Sequence, residues 1–365
     1  MPRFTLRLGI FLALLSSSSA QAADFTQADA AKALRRAVDF FCGQIALQGG
    51  YVFAVSEDLS KREGEHKITS SQVWIQPPST STVGLTYLEI YRLTQDEYYL
   101  QAARETAECL IRGQLQSGGW YVSIDFDPAA RNKIAYRVDP PTGKAEKLAN
   151  RSTLDDDKTQ SCIKFLMRLD EATGFRDAKL HEATLYALDA LVKAQFPNGA
   201  WPQQFSGPPD PAEFPVVKAS YPKEWSRKFP GDHYASHYTF NDGSIADVVN
   251  VMLEASRIYD EPRYRQSAER AGDFILLAQL PEPQPAWAQQ YDAEMHPAWA
   301  RKFEPPSITG GESQGIIQVL LDLYTHTGEK RFIEPIPRAL AYLKRSQLAD
   351  GKLARFYELQ TNKPL

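Results

Sequence analysis

The chain has 365 residues, of which 43% are hydrophobic and 24% are charged, and its formal net charge is −4. Proteins that bind nucleic acid or an anionic membrane surface carry a basic bias that is missing here, so neither is an expected partner. The three cysteines lack a metal-ligand spacing and a disulfide framework, and their odd number favours buried thiols over a disulfide.

The first residues have the pattern of a secretory signal peptide. Arg3 and Arg7 precede an apolar run from Leu8 to Leu15, and Ala22 ends a small-x-small cleavage site. The apolar run is shorter than the about 20 residues that a transmembrane helix needs. We therefore predict a cleaved segment over residues 1–22 and a secreted or periplasmic, monomeric protein.

One phrase recurs at the end of successive helical stretches: a glutamine, a short gap, one or two Gly or Pro residues, and an aromatic residue. The copies cover residues 44–51, 114–120, 195–201 and 279–287, with a degenerate copy from Gln347. Each interval contains two stretches with the apolar period of a helix, so the repeating unit is a helix pair closed by a turn. No shift in composition marks a boundary, which predicts one all-α domain over residues 23–365.

The predicted helices are 27–47, then 83–93 with 99–112, 160–173 with 178–195, 244–259 with 262–280, and 313–327 with 332–347. Long connections rich in Pro, Gly and aromatic residues follow some pairs, notably 126–151 and 203–240. Loops of this length are uncommon unless they form a binding surface. In a helical hairpin the first helix begins at the same end at which the second helix finishes. Residues at those two positions should therefore gather around a groove at one end.

Acidic residues stand where three of the first helices begin, in TLDDDKT from Thr153, TFNDGS from Thr239 and SITGGES from Ser307. Helix capping explains one acid at each start, including Glu312. Capping does not explain three consecutive aspartates at residues 155–157, which repel one another unless a cation is present. Flexible carboxylates suit Ca²⁺, so the triplet predicts a calcium site.

Aromatic and basic residues follow the second helices, in GAWPQQF around Trp201, in WAQQYD around Tyr291, and in ARFYE around Arg355. For a single tryptophan beneath a turn, packing is the more common explanation. Together with Arg301, however, these segments facing an acidic cluster suit a polyanionic sugar. Its carboxylates would pair with arginine and its ring faces would rest on aromatic side chains. Trp201 and Tyr291 are therefore predicted to bind substrate.

Several of these segments together resemble a known family. The phrases are TLDDDKTQSCIKFL, PNGAWPQQF, HYTFNDGSIADVVNVM, WAQQYDAEMHPAWARKFEP, GGESQGI and ARFYELQTNKP. They are similar, in order, to the signatures of the family 10 polysaccharide lyases, which are pectate lyases. The resemblance runs from about Gly84 to Pro364. It implies an (α/α)₃ toroid with a groove at one end, which cleaves polygalacturonate by Ca²⁺-assisted β-elimination.

The resemblance also implies roles for individual residues. Asp155 and Asp242 would face calcium and substrate, with Asp156 beside them as a further ligand. Arg301 would be the base, and Arg355 would bind a substrate carboxylate. Lys158 stands where family members more often have a small residue. It could compete with the cation or pair with the substrate, and we predict it as a substrate-binding residue.

The implied chemistry suits these residue types. Elimination across C4–C5 of a uronide removes a proton alpha to a carboxylate, and a divalent cation on that carboxylate stabilises the developing charge. Arginine is ordinarily protonated, so it needs neighbouring cations and alkaline pH to act as a base.

Two other interpretations stay open from the sequence. One is an unsaturated glucuronyl hydrolase, which is also a helical toroid but needs no metal. The other is a non-catalytic toroid that binds acidic glycans. Sensitivity to EDTA separates the lyase from the hydrolase, and the ultraviolet absorbance of an unsaturated product separates the lyase from the binding protein.

Overall fold

The computed structural model describes residues 26–140, 148–231 and 237–365, so the predicted signal peptide over residues 1–22 lies outside the described residues. The chain divides into two compact units, one ending at Gln44 and the other comprising Ile45–Leu365. The single domain over residues 23–365 stays a prediction. In the described part of the chain, no helix combines the length and the hydropathy needed to cross a bilayer.

The first unit contains helix α1 (Gln27–Phe40), which begins at a capping box. The Thr26 hydroxyl accepts a hydrogen bond from the Asp29 amide, and the Asp29 carboxylate accepts one from the Thr26 amide. A π-helical turn, Phe41–Ile45, follows α1, so the regular helix is shorter than the predicted 27–47.

The helices of the second unit are α2 (Thr80–Thr94), α3 (Glu97–Arg112), α4 (Pro128–Arg131), α5 (Lys158–Ala172), α6 (Ala178–Ala194), α7 (Ser244–Tyr259), α8 (Pro262–Ala278), α9 (Gly310–Thr327) and α10 (Ile336–Arg345). The strands are β1 (Ala54–Val55), β2 (Arg62–Glu63), β3 (Gln72–Trp74), β4 (Ser123–Asp125), β5 (Ser152–Thr153), β6 (Gln204–Phe205), β7 (Tyr238–Thr239), β8 (Gln290–Tyr291), β9 (Ser307–Thr309) and β10 (Phe356–Glu358).

The long helices form hairpins α2–α3, α5–α6, α7–α8 and α9–α10. The first helices of these hairpins pack side by side in chain order, α2 on α5, α5 on α7 and α7 on α9. Their contacts bury side chains such as Phe165, Ile245 and Leu320 completely. This is the architecture of the α/α-toroid class, which confirms the predicted fold class. The described residues contain four such hairpins, one more than the (α/α)₃ designation implies.

A two-stranded antiparallel sheet closes each hairpin at the end where its first helix begins. The pairs are β3–β4, β5–β6, β7–β8 and β9–β10, each joining the strand before the first helix to the strand after the second. The register repeats, because Thr153 pairs with Gln204 and Thr239 pairs with Gln290. Positions in different hairpins can therefore be matched residue by residue.

The recurring glutamine links one hairpin to the next. Gln195 Nε2 donates to the carbonyl of Gly199 in its own turn (2.8 Å) and to that of Ser267 in the following hairpin (2.9 Å). Gln114 and Gln279 make the equivalent pairs of bonds. A buried amide that satisfies two carbonyls at once explains why this residue type recurs.

Candidate functional site

Each of the two acidic segments forms a 3₁₀ turn directly before a first helix, Asp155–Asp157 before α5 and Asn241–Gly243 before α7. The central residues have nearly the same left-handed backbone, with φ 49° and ψ 42° at Asp156 and φ 49° and ψ 33° at Asp242. This conformation costs a residue other than glycine on the order of 1 kcal/mol. The fold therefore holds a strained aspartate at the same place twice.

The sheet register shows that the two turns are equivalent. The amide of Leu154 donates to the carbonyl of Gln203 at 2.8 Å, and that of Phe240 donates to the carbonyl of Gln289, also at 2.8 Å. Each turn begins directly after this hydrogen bond. The left-handed aspartates of the second and third hairpins therefore occupy one repeated position.

The two turns bring three predicted ligands together. Asp155, Asp156 and Asp242 each offer a carboxylate oxygen, and these oxygens lie within 4.8 Å of one another. Partial burial raises the pKa of Asp242, and the charges of Asp156 and Asp155 raise it further. A cation would relieve this repulsion, and clustered carboxylate oxygens are the donors that Ca²⁺ prefers. The residues present therefore fit a calcium ion.

The two predicted arginines meet on one carboxylate, that of Glu304. Arg301 donates from Nε to Oε2 at 2.7 Å and from Nη2 to Oε1 at 2.5 Å, and Arg355 Nη2 lies 3.5 Å from Oε1. The side chain of Glu304 is 2% exposed, whereas those of Arg301 and Arg355 are 43% and 60% exposed. Glu304 thus anchors two guanidinium groups that extend toward solvent.

The charge state of Glu304 follows from these contacts. Burial acts to raise the pKa of Glu304, but the hydrogen bonds from Arg301 outweigh it and hold that pKa below its ordinary value. Arg301 also lowers the pKa of Asp242, and Glu304 raises it. The charges of the arginine cluster therefore act on the acidic cluster.

Three amide side chains of this site were not predicted. Gln203 Nε2 donates to Asp155 Oδ1 at 2.8 Å, and Asn241 Nδ2 donates to Asp242 Oδ2 at 2.5 Å. Gln289 is 4% exposed and lies beside the Glu304 carboxylate, whose pKa it helps to lower. The matching phrases WPQQ and WAQQ contain two of these residues, so aligning the repeats would have found them.

Arg355 belongs to the same repeated position. Its carbonyl accepts from the amide of Gly310, as the carbonyls of Gln203 and Gln289 accept from the equivalent amides of their hairpins. At this position the last hairpin thus has an arginine, where the second and third hairpins have a glutamine. One backbone position in three hairpins supplies polar side chains to this end of the unit.

The structure corrects the predicted substrate contacts of Trp201 and Tyr291, because both side chains are fully buried. The Trp201 indole donates to the carbonyl of Leu191 at 2.8 Å, and the Tyr291 hydroxyl donates to that of Ala278 at 2.7 Å. Both residues pack beneath the turns. Phe303, which is 56% exposed and has the guanidinium of Arg301 4.8 Å from its ring centre, is the aromatic side chain beside the arginines.

Lys158 is also misassigned as a substrate-binding residue. It is 2% exposed, and its ammonium lies 3.3 Å from Asp155 Oδ2 and 2.9 Å from Asp156 Oδ2. The side chain lies beneath the acidic cluster, where a sugar has no access to it.

The sequence profile of the family described as pectic acid lyase matches residues 131–363, more than half of the chain. The chain belongs to the pectic acid lyase family. It is therefore a polysaccharide lyase, which decides against the hydrolase and the non-catalytic glycan-binding protein that the sequence left open. The matched range includes all five of the predicted acidic and arginine residues described above.

Several solved structures are similar to this lyase. A mutant of the family 10 polysaccharide lyase from Cellvibrio cellulosa, in complex with trigalaturonic acid, is 22% identical with a TM-score of 0.48, covering 78% of this chain and 84% of that one. An unsaturated glucuronyl hydrolase specific for heparin is 14% identical with a TM-score of 0.44, covering 76% of this chain and 67% of that one.

A D-mannose isomerase is 12% identical with a TM-score of 0.54, covering 95% of this chain and 77% of that one, and this likeness concerns the fold alone. A search of curated proteins gave no significant match to the lyase.

Proposed function

We propose that this polysaccharide lyase is a secreted pectate lyase that cleaves polygalacturonate, or a related polyuronide, by calcium-assisted β-elimination and releases 4,5-unsaturated oligouronides. One observation supports this proposal above the others. Carboxylates from two successive hairpins converge beside two arginines that share a buried glutamate. A substrate that carries a carboxylate on every sugar needs this combination of a cation site and guanidinium groups.

Asp155, Asp156 and Asp242 would hold the calcium ion. When bound, calcium on the C6 carboxylate of the uronide would stabilise the charge that develops as the C5 proton leaves. Gln203 holds the carboxylate of Asp155, and Asn241 holds that of Asp242. Two of the three ligands are thus oriented before the substrate arrives.

Arg301 would accept the C5 proton. Its bidentate pair with Glu304 fixes the plane of the guanidinium but favours the protonated form. Arg355, on the same carboxylate, adds a second positive charge nearby and so opposes that effect. Arginine is ordinarily protonated, so a base of this kind needs alkaline pH, and we expect maximal activity there.

Arg355 would bind the carboxylate of a neighbouring uronide. Its guanidinium is more exposed than that of Arg301 and makes one contact with Glu304, at 3.5 Å, where Arg301 makes two side-chain hydrogen bonds. A guanidinium held this loosely can turn to take a substrate carboxylate in a bidentate pair. Phe303 lies beneath both arginines and offers a ring face to the sugar between them.

A panel of polyuronides, assayed with calcium and with EDTA by the ultraviolet absorbance of the unsaturated product, tests this function. We expect product from polygalacturonate at alkaline pH, abolished by EDTA and restored by added calcium. Full activity of the EDTA-treated enzyme would show that the calcium assignment is wrong. Absence of turnover on every polyuronide would show that the substrate class is wrong.

A further inference from the structure

Lys158 places a positive charge inside the acidic cluster. Its Nζ lies 2.9 Å from Asp156 Oδ2, 3.3 Å from Asp155 Oδ2 and 3.3 Å from the Asp155 carbonyl oxygen. The lysine is 2% exposed, whereas the side chains of Asp155 and Asp156 are 31% and 32% exposed, so water screens these interactions only in part. Two of the three carboxylates of the cluster are therefore already paired with a cation that belongs to the chain.

The third hairpin has an uncharged residue at the position of Lys158, so comparing the two hairpins shows what the charge adds. Ser244 occupies the position of Lys158 at the start of its helix, and its hydroxyl donates to the Asn241 carbonyl at 2.9 Å. Lys158 donates to the equivalent carbonyl, that of Asp155. Serine thus makes the bond to the turn without any charge. The ammonium of Lys158 is not needed to form the turn, and its distinct contribution is to the carboxylates.

We infer that Lys158 is a built-in counter-ion that lowers the affinity of the acidic cluster for calcium, an inference that rests on the calcium site proposed above. The three carboxylates alone carry a charge of −3, and Lys158 reduces it to −2. A calcium ion bound to the same oxygens lies within a few ångströms of the ammonium. Like charges at that separation repel, and the burial of the ammonium limits how far water screens that repulsion.

An opposing effect has to be weighed. Lys158 also draws Asp155 and Asp156 together, which would favour any cation by preorganising its ligands. The two carboxylates that it contacts are, however, proposed calcium ligands, so calcium would compete with it for them. Asp155 is the clearest case, since Oδ1 accepts from Gln203 and Oδ2 from Lys158. Repulsion and competition both weaken binding, and we expect them to exceed the gain from preorganisation.

Isothermal titration with CaCl₂ of the wild type, Lys158→Ser and Lys158→Gln tests this inference. Serine transplants the residue of the third hairpin, and glutamine keeps a donor of similar reach without its charge. We expect both variants to bind calcium at least about tenfold more tightly than the wild type. The rise in melting temperature on adding calcium should be larger in both, which gives a second readout that does not depend on activity.

Lys164→Ser is the matched control. Lys164 lies on the same helix and acts on Asp157 and Asp247, whose pKa values its charge lowers, outside the group of three carboxylates. The Lys164→Ser substitution removes the same charge from the protein, so it measures the effect of net charge alone on calcium affinity. We expect its calcium affinity to stay within about threefold of the wild type.

The outcomes separate this inference from the proposed function. If the wild type binds calcium and both Lys158 variants bind it equally or more weakly, the inference is overturned while the calcium site stands. An equal gain in Lys164→Ser also overturns it, because the effect would then be one of net charge. If neither the wild type nor any variant binds calcium, the proposed calcium site fails, and the inference fails with it.

Discussion

The turns at residues 155–158 and 241–244 have one backbone and two sets of side chains. In both, a threonine hydroxyl accepts from the first amide of the turn, Thr153 from Asp155 at 3.2 Å and Thr239 from Asn241 at 3.1 Å. In both, the next residue is a left-handed aspartate. The repeated backbone therefore places a carboxylate at the second position of each turn. The two turns differ at their other positions.

The two turns supply different charged side chains to the site. The first turn supplies two clustered carboxylates and its own cation, Lys158. The second turn supplies one, and its neighbour Asn241 donates to it instead of adding charge. The cation that acts on Asp242 comes from a distant loop, as Arg301. The first turn thus provides two of the proposed calcium ligands, and the second turn places the third, Asp242, where the charge of Arg301 acts on it.

The two turns also differ at their third position. Gly243 has φ 71°, and a Cβ added there would lie 2.7 Å from Asp247 Oδ2. Only glycine fits that close approach without displacing the aspartate. In the first turn the same position is Asp157, also left-handed at φ 56°. The first turn therefore carries a half-buried acid where the second has a glycine packed against Asp247.

Removing either half of the site should have the largest effect. We expect Asp155→Ala and Asp242→Ala each to lower kcat/KM on polygalacturonate by about 10³-fold, because each removes a proposed calcium ligand. Asp157→Asn, in the same triplet but outside the group of three carboxylates, should stay within about threefold. Product absorbance measures all three variants. Near-normal activity of Asp242→Ala would break the comparison, because the first turn would then be sufficient.

The arginines test the second half of the comparison. Lysine keeps the charge of arginine but loses its fork of donors. We expect Arg301→Lys to lower kcat by about 10²-fold with KM largely unchanged, and Arg355→Lys mainly to raise KM. Steady-state kinetics at alkaline pH separate the two constants. If Arg355→Lys loses kcat while Arg301→Lys keeps it, the two roles have to be exchanged.

The helix bounds were predicted well where start and stop signals, such as glycine and proline, mark both ends of the helix. The helix at residues 244–259 was predicted to its exact bounds, with a glycine before it and Pro262 just after it. The last helix was predicted from residue 332 but begins at Ile336. Pro335 disfavours a helical backbone at the residue before it, and Lys330–Phe332 forms a separate 3₁₀ turn.

The site was only partly predictable. Three consecutive aspartates are unusual enough in any context to indicate a function, and the arginines followed from the family resemblance. The prediction that Trp201 and Tyr291 bind substrate was wrong. The sequence does not show whether an indole N–H or a tyrosine hydroxyl already has a hydrogen-bond partner inside the protein. Glu304 was missed for a similar reason. It joins Arg301 to Arg355, and nothing near it in sequence indicates the second contact.

Gln203 offers a smaller test, of how the first turn is held. We expect Gln203→Leu to lower kcat/KM by about tenfold, because Asp155 Oδ1 loses its 2.8 Å hydrogen bond and the carboxylate is no longer oriented. Gln204→Leu is the control, since the neighbouring Gln204 contacts Arg151 instead of the cluster. Equal losses in both variants would point to a damaged strand, and not to the orientation of Asp155.

Asp157, the half-buried acid of the first turn, should affect stability more than catalysis. Burial raises the pKa of Asp157 from 3.8 to about 6, with Lys164 opposing the rise and Asp247 adding to it. A raised pKa means that folding favours the protonated form. The ionised carboxylate therefore costs nothing below about pH 4, costs more as the pH rises from 4 to 6, and carries its full cost above pH 6.

Asp157→Asn should accordingly raise the free energy of unfolding by about 1 kcal/mol at pH 8, less than the full shift implies because the side chain is partly exposed to water. Asparagine tolerates the left-handed backbone at this position, so the substitution adds no strain. Urea unfolding in EDTA measures the difference without calcium. At pH 4 the wild-type acid is largely protonated, and the two proteins should unfold alike. A gain of the same size at pH 4 would mean that the benefit lies in the turn's backbone, and that the charge at Asp157 is not what distinguishes the two turns.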